Sequence, residues 1–444
     1  LAPSEMCIRD RSTTDSVSTA SQTYSPWDIR ATAGLSPVAT CLILIAMGPS
    51  CAKILSTMSR EYGGRVADTK TSRHSWLRIT SGLVGLILTL PVLAWSVAAI
   101  LPSHNALTFI SSVLVGSLAV PALVIAVIAF VLALLGRGGL RVVAVVFSVM
   151  ALIVPVAATA TTAWITDRAG GRINVVSAAA VSSMSDHPDE TVRYGSGPDE
   201  TAQIYRAHNH NAPVLVDIHG GGWSTDATMP ATLRWFSDHG WLVIRPSYTL
   251  ATQGHPTWNT APKQVACAWA WSLSHVKELG GDPSQVSIMG DSAGGGMAIN
   301  LAYGAASGKL KSSCGSIRAP KSVLALYPTV DVGTVESVTT LSAGNAAKMY
   351  IGGTPKQFPD RYRAVNSSTW ITPQAPPTMV IQGNHDTFVP PSSVRKFVNR
   401  ARQAGVRVDH VQLPMLNHAF DSQARNSLGF QVVTSLGQRF LTDH

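Results

Sequence analysis

Three long stretches of this chain, 79–101, 106–135 and 142–165, are apolar on every helical face and contain no Asp, Glu, Lys or Arg. Each exceeds the ~20 residues an α-helix needs to cross a hydrocarbon core about 30 Å thick. Proline interrupts all three, at Pro91, Pro121 and Pro155, and neighbouring helices can re-satisfy the backbone groups it frees. A helix lying on a soluble core shows one apolar stripe, not an apolar surface all round. The pattern predicts transmembrane helices. A weaker run at 35–57 contains Gly48, Pro49 and Lys53 and predicts a fourth span, an interfacial segment or a signal-like core. The first 34 residues are rich in Ser and Thr without apolar periodicity, and are expected to be disordered.

After a linker at 166–190 the pattern changes. Short β-branched or apolar runs alternate with helical periods, which predicts an α/β sheet over 191–444. Strands are expected at 191–194, 202–206, 214–218, 241–245, 286–289, 322–327, 378–382 and 406–413. Helices are expected at 228–239, 262–280, 293–303 and 394–404. The run at 214–218 is apolar throughout, as suits a central strand buried on both faces.

Charge sets the orientation. The segment before the first span carries Arg60, Arg65, Lys70, Arg73 and Arg78, and the 137–141 turn carries two arginines, whereas 102–105 has no Lys or Arg. Basic short loops stay cytoplasmic, so the 137–141 turn is expected inside and everything after 165 outside. The net charge of +9 is divided between the apolar third and the remainder, and no Lys/Arg cluster is interleaved with aromatics. Nucleic acid is therefore excluded as a partner. Five cysteines are too few for a disulfide scaffold. Cys267 and Cys314 fit either a bridge or two separate thiols, and Cys41 and Cys51 read as packing residues.

Three motifs carry chemistry. Gly290-Asp291-Ser292-Ala293-Gly294 sits between an expected strand and a small-residue helix, the context in which a sharp turn exposes a serine hydroxyl. Asp291 reads as a local structural acid. His219-Gly220-Gly221-Gly222-Trp223 follows the 214–218 strand, and its glycines let backbone N–H groups approach a developing oxyanion. Asp386 lies in the turn beyond the 378–382 strand, and His418 in the loop beyond 406–413. Both fall at the carboxyl edge of an open sheet, where ligand sites gather. The order Ser292, Asp386, His418 is the one this kind of sheet uses. Asp331 is an alternative acid, and His385 and His410 are less suited bases than His418. His219 reads as an orienting residue. Trp223, Tyr248, Trp258, Phe388 and Phe420 are candidates for either an acyl pocket or core packing. The His208-Asn209-His210 turn is too sparse for a metal site.

Over about 214–420 the sequence resembles the α/β-hydrolase carboxylesterases related to hormone-sensitive lipase, with bacterial and feruloyl- or acetyl-esterase-like members. The likeness rests on these motifs, on Tyr248-Thr249-Leu250-Ala251 with Pro256 downstream, and on Gly280-Gly281-Asp282-Pro283. It implies an α/β-hydrolase fold, Ser292 as nucleophile, and an oxyanion hole from the N–H groups of Gly221, Gly222 and Ala293. Thr252-Gln253 stands where the family often has Pro-Glu, and the acid-bearing motif is looser; both bear on acyl or alcohol specificity.

The expectation is an integral membrane protein, bacterial in residue usage, with its catalytic domain outside the cytoplasm. It would cleave a small or lipid-like carboxylic ester without metal or organic cofactor. The same residues would serve an amidase, a formamidase or an acyltransferase acting on a cell-envelope acceptor. A non-catalytic membrane sensor or scaffold is the reading from another class, against which the three reactive residues argue.

Overall fold

The computed structural model describes residues 69–444, apart from 104, 228 and 341–342. The 35–57 run, the Ser/Thr-rich start, Cys41, Cys51, Arg60 and Arg65 lie outside the described residues. Among the described residues, four helices precede the sheet: α1 (Thr69–Ile100), α2 (Ala106–Val113), α3 (Val115–Leu134) and α4 (Gly138–Arg168). Three segments, His74–Ile100, Val115–Leu134 and Gly138–Arg168, are long and apolar enough to cross a membrane.

Their packing is inverted relative to a water-soluble bundle. Ala126, Ala129 and Ala133 of α3 and Ala144, Ala151 and Ala158 of α4 are fully buried. Branched residues such as Val124, Ile128, Val131, Val142, Val146 and Ile153 face outward. Small residues inside let helices approach closely where lipid gives no hydrophobic drive for association. One hydrogen bond crosses the bundle interior, between Thr89 Oγ1 and Ser148 Oγ at 2.8 Å.

The expected single span over 106–135 is broken at Leu114. Asn105 caps α2 in a capping box with Thr108, and the chain then turns into α3. Leu114 itself stays near helical geometry (φ −73°, ψ −5°), its N–H bonded to the Ile110 carbonyl and its carbonyl to the Leu118 N–H, while Ser112 and Phe109 of α2 meet Asn417 and Phe388 of the α/β domain.

The α/β domain has strands β1 (Glu190–Arg193), β2 (Thr201–Tyr205), β3 (Ala212–Ile218), β4 (Leu242–Pro246), β5 (Gly281–Asp291), β6 (Val323–Leu326), β7 (Thr378–Gly383) and β8 (Val408–Leu413). They form one sheet in the order β1-β2-β4-β3-β5-β6-β7-β8. β2 runs antiparallel to β1 and to β4, and every other pairing is parallel. The helices are α5 (Pro230–Asp238), α6 (Ala261–His275), α7 (Ser292–Ala306), α8 (Val332–Glu336), α9 (Ala343–Ile351), α10 (Pro359–Val365), α11 (Pro391–Gln403) and α12 (Leu428–Asp443). The expected strands and helices are present with shifted ends. The short helices α8–α10 and the final α12 were not anticipated.

Alternation along the strands divides the core in two. Val214, Val216 and Ile218 face α6, α7 and α11 with Val265, Trp269, Ala298 and Phe397. Leu215, Val243, Met289, Leu324 and Ile381 face α5 and α12 with Leu233, Phe236, Val433 and Leu436. That second core also contains Val115, Ala119 and Ala158, so it runs without interruption into the apolar helices α3 and α4. Cys267 of α6 is bridged to Cys314, which decides between the two sequence alternatives.

Candidate active site

The end of β5 delivers the serine. Gly290 is paired within the sheet to Ile218 and Ala325, and the backbone then turns abruptly at Ser292, whose φ is +50°. That left-handed conformation is strained for a residue with a side chain. The turn brings α7 hard against β3: a Cβ at position 294 would sit 1.9 Å from the Ile218 carbonyl oxygen, so only glycine fits. The crowding lifts the Ser292 hydroxyl to the carboxyl edge of the sheet, and Ala293 follows as a buried residue at the start of α7.

Two loops, those after β7 and β8, meet it there. His418 Nε2 lies 2.9 Å from Ser292 Oγ. Its Nδ1 lies 2.9 Å from Asp386 Oδ2 and 3.1 Å from Oδ1. Asp386 Oδ1 accepts the backbone N–H groups of Phe388 (3.0 Å) and Val389 (2.8 Å), and Oδ2 accepts Gln382 Nε2 at 3.3 Å. A carboxylate held by four donors has one orientation, and it fixes the imidazole in turn. Tyr327 packs edge-on against the His418 ring and donates its hydroxyl to Asp421 Oδ1 at 2.8 Å. Burial pushes the Asp421 carboxyl up to about 6.

The glycine loop is built on buried polar contacts. Gly220 N–H donates to Asp291 Oδ1 at 2.8 Å, tying the loop to the turn that carries Ser292. Burial pushes Asp291 well above the ordinary carboxyl range. Gly221 adopts φ +101°, and a Cβ there would lie 2.0 Å from the Thr225 carbonyl oxygen. Gly222 is also left-handed. His219 is buried, its Nδ1 lies 2.8 Å from the Gly220 carbonyl oxygen, and its ring stacks on Tyr248, whose hydroxyl donates to the His219 carbonyl. Burial, reinforced by the positive charge of Arg245, pushes His219 down to about 4, so it is neutral near pH 7. It supports the loop and is not placed to carry a proton.

The alternatives have other employment. Asp331 caps α8 by accepting the Gly333 N–H. His410 lies within β8, where burial pushes it down to about 4. His208 and His210 are exposed, and no cluster of His, Cys, Asp and Glu able to hold a metal occurs among the described residues. Of the aromatic candidates, Trp223 stacks on Tyr350 and Phe420 is fully buried against Tyr327, so both are packing residues. Phe388 stays half-buried, its ring 5.3 Å from that of His418. Sequence reasoning overlooked Asn417. Its Oδ1 accepts the N–H groups of Thr387 (2.9 Å) and His418 (2.6 Å), locking the acid and histidine loops together. The available signal was an amide side chain directly before the histidine.

Residues 203–400 match the BD-FAE family model. The matched segment lies within a domain of α/β-hydrolase fold. It is similar to Esterase LipQ of Mycobacterium tuberculosis, 27% identical over 243 residues that cover 52% of this chain and 57% of that one. It is also similar to Carboxylesterase NlhH of the same species, 34% identical over 122 residues covering 26% and 37%. A solved structure of a thermophilic esterase from Thermogutta terrifontis, with propionate bound, superposes with a TM-score of 0.48 at 21% identity, covering 59% of this chain and 96% of that one. This chain thus spans little more than half the length of the curated relative LipQ. The BD-FAE match takes in the glycine loop, Ser292 and Asp386, and stops short of His418 and of the apolar helices α1–α4.

Proposed function

We propose that the chain is a membrane-anchored serine hydrolase that cleaves carboxylic esters through an acyl-enzyme on Ser292. The observation that carries this reading is the unbroken relay from Ser292 Oγ through both ring nitrogens of His418 to Asp386, each link at 2.9 Å. His418 Nε2 takes the hydroxyl proton as Oγ attacks the ester carbonyl carbon, and Asp386 stabilises the imidazolium. The N–H groups of Gly221, Gly222 and Ala293 receive the oxyanion, each worth roughly 3 kcal/mol in the transition state. Collapse expels the alcohol, which takes the proton from His418. Water then attacks the acyl group with His418 again as base, releasing the acid and free Ser292. Every step is closed by groups of this chain. The names of the relatives, esterases and carboxylesterases, agree with this bond type.

The α/β domain is assigned to the extracytoplasmic side. The basic 137–141 turn supports this by the positive-inside rule. The Cys267–Cys314 bridge supports it too, since disulfides persist in oxidising compartments.

Full-length protein in detergent is expected to hydrolyse short aryl esters at least about a hundredfold faster than the matching anilides, because the ester has the better leaving group. Equal or faster anilide cleavage would make it an amidase, and no turnover of any simple ester would remove the esterase assignment. With intact cells, a permanently charged ester is expected to be cleaved as fast before lysis as after. Activity that appears only on lysis would put the domain inside.

A further inference from the structure

The helix α2 lies between two apolar segments of the bundle, yet two of its neighbours, Asn417 and Phe388, flank His418. Ser112, fully buried, accepts Nδ2–H of Asn417 at 2.7 Å while its own hydroxyl donates to the Phe109 carbonyl at 2.8 Å. Asn417 is the residue before His418, and its Oδ1 is already committed to the N–H groups of Thr387 and His418. Phe109 stacks on Phe388 with ring centroids 4.8 Å apart, and Phe388 in turn lies against the His418 ring. Beyond the histidine, the Phe420 carbonyl descends onto Gly116 at the start of α3, where a Cβ would come within 2.2 Å of its oxygen. The His418 loop is thus gripped before and after the histidine by the membrane bundle, and the Asp386 loop is gripped beside it. Leu107 and Ile110 of the same helix point outward, so only one face of α2 is given to this contact.

We propose that the membrane bundle is a working part of the ester site: Ser112, acting through Asn417, is a positioning residue for His418. The inference rests on the serine-hydrolase reading and goes beyond it, since an anchor needs no contact with the proton-transfer loop. The chemistry is simple. Asn417 has two jobs, and its buried amide N–H loses its partner when Ser112 loses its hydroxyl. The side chain can then rotate to find water, and Oδ1 moves away from the His418 and Thr387 backbone. A displacement of a fraction of 1 Å between Nε2 and Oγ is enough to slow proton transfer about tenfold.

The test uses full-length protein in detergent, with active sites counted by burst titration with a fluorophosphonate, so that misfolded molecules do not enter the rate. Ser112→Ala is expected to lower kcat per titrated site for a short aryl ester about tenfold, with KM roughly unchanged. In an Asn417→Ala background the same Ser112→Ala change is expected to have no further effect, because the route is already cut. An unchanged kcat in Ser112→Ala, or an equal loss in both backgrounds, would overturn the proposal. Phe109→Leu gives a second reading of the same contact, and full kcat per site there together with Ser112→Ala at wild-type rate would reduce the bundle to an anchor. A wild-type chain that the probe fails to titrate overturns the hydrolase reading and this inference with it; a titrated wild type with unaffected variants overturns this inference alone.

Discussion

Ser292→Ala is expected to reduce ester turnover by about 10⁵–10⁶-fold, leaving only the rate that binding and the oxyanion hole supply without a nucleophile. In the proposed mechanism the hydroxyl is the part of the relay that forms a covalent bond, so its loss is expected to go unreplaced. Alanine has the same Cβ and tolerates the same φ of +50° as poorly as serine does, so the turn and α7 are expected to remain. Thermal melting of the variant within a few degrees of wild type, with turnover near background, is the outcome that assigns the loss to chemistry. Retention of more than about a hundredth of wild-type turnover would exclude Ser292 as the nucleophile.

Asp386→Asn is the second large effect, and its mechanism is tautomeric. Oδ1 accepts two backbone N–H groups, from Phe388 and Val389, and these demand an oxygen. An asparagine must therefore place its amide nitrogen where Oδ2 now lies, facing His418 Nδ1 and Gln382 Nε2. His418 can meet an N–H donor only by presenting Nδ1 as an acceptor, which leaves the proton on Nε2. An Nε2–H cannot take the proton of Ser292. The expected loss in kcat is about 10⁴-fold with little change in KM. It should ease as alkali supplies the missing base, so the ratio of variant to wild-type rate is measured from pH 7 to 10. A loss below about tenfold at pH 7 would mean that Asp331 or another acid orients the histidine.

Much of this arrangement was legible in the chain. The strands β3, β5 and β7 contain short apolar runs, β8 mixes apolar with polar residues, and the carboxyl ends of these four strands hold the glycine loop, Ser292, Asp386 and His418. The inward alanine faces of α3 and α4 were hidden, because apolar residues on every side reveal a span but not which side meets protein. The contact of Ser112 with Asn417 was hidden for a stronger reason: the two lie 305 positions apart, and no local pattern carries that information. The short helices α8–α10 escaped because they hold too few turns to display a period. The final helix α12 does show one, with Leu428, Val432, Val433, Leu436 and Phe440 on its buried face. Cys267 and Cys314 illustrate the limit of counting: two thiols permit a bridge, and only the meeting of α6 with the segment after α7 makes one.

The most direct measurement is peptide mapping of the full-length protein after reaction with a fluorophosphonate. The expected result is a single phosphonyl adduct on Ser292, absent in Ser292→Ala and formed much more slowly in Asp386→Asn. Hydrolysis of esters by a protein that carries no adduct at Ser292, or carries it at another serine, would contradict the proposed acyl-enzyme.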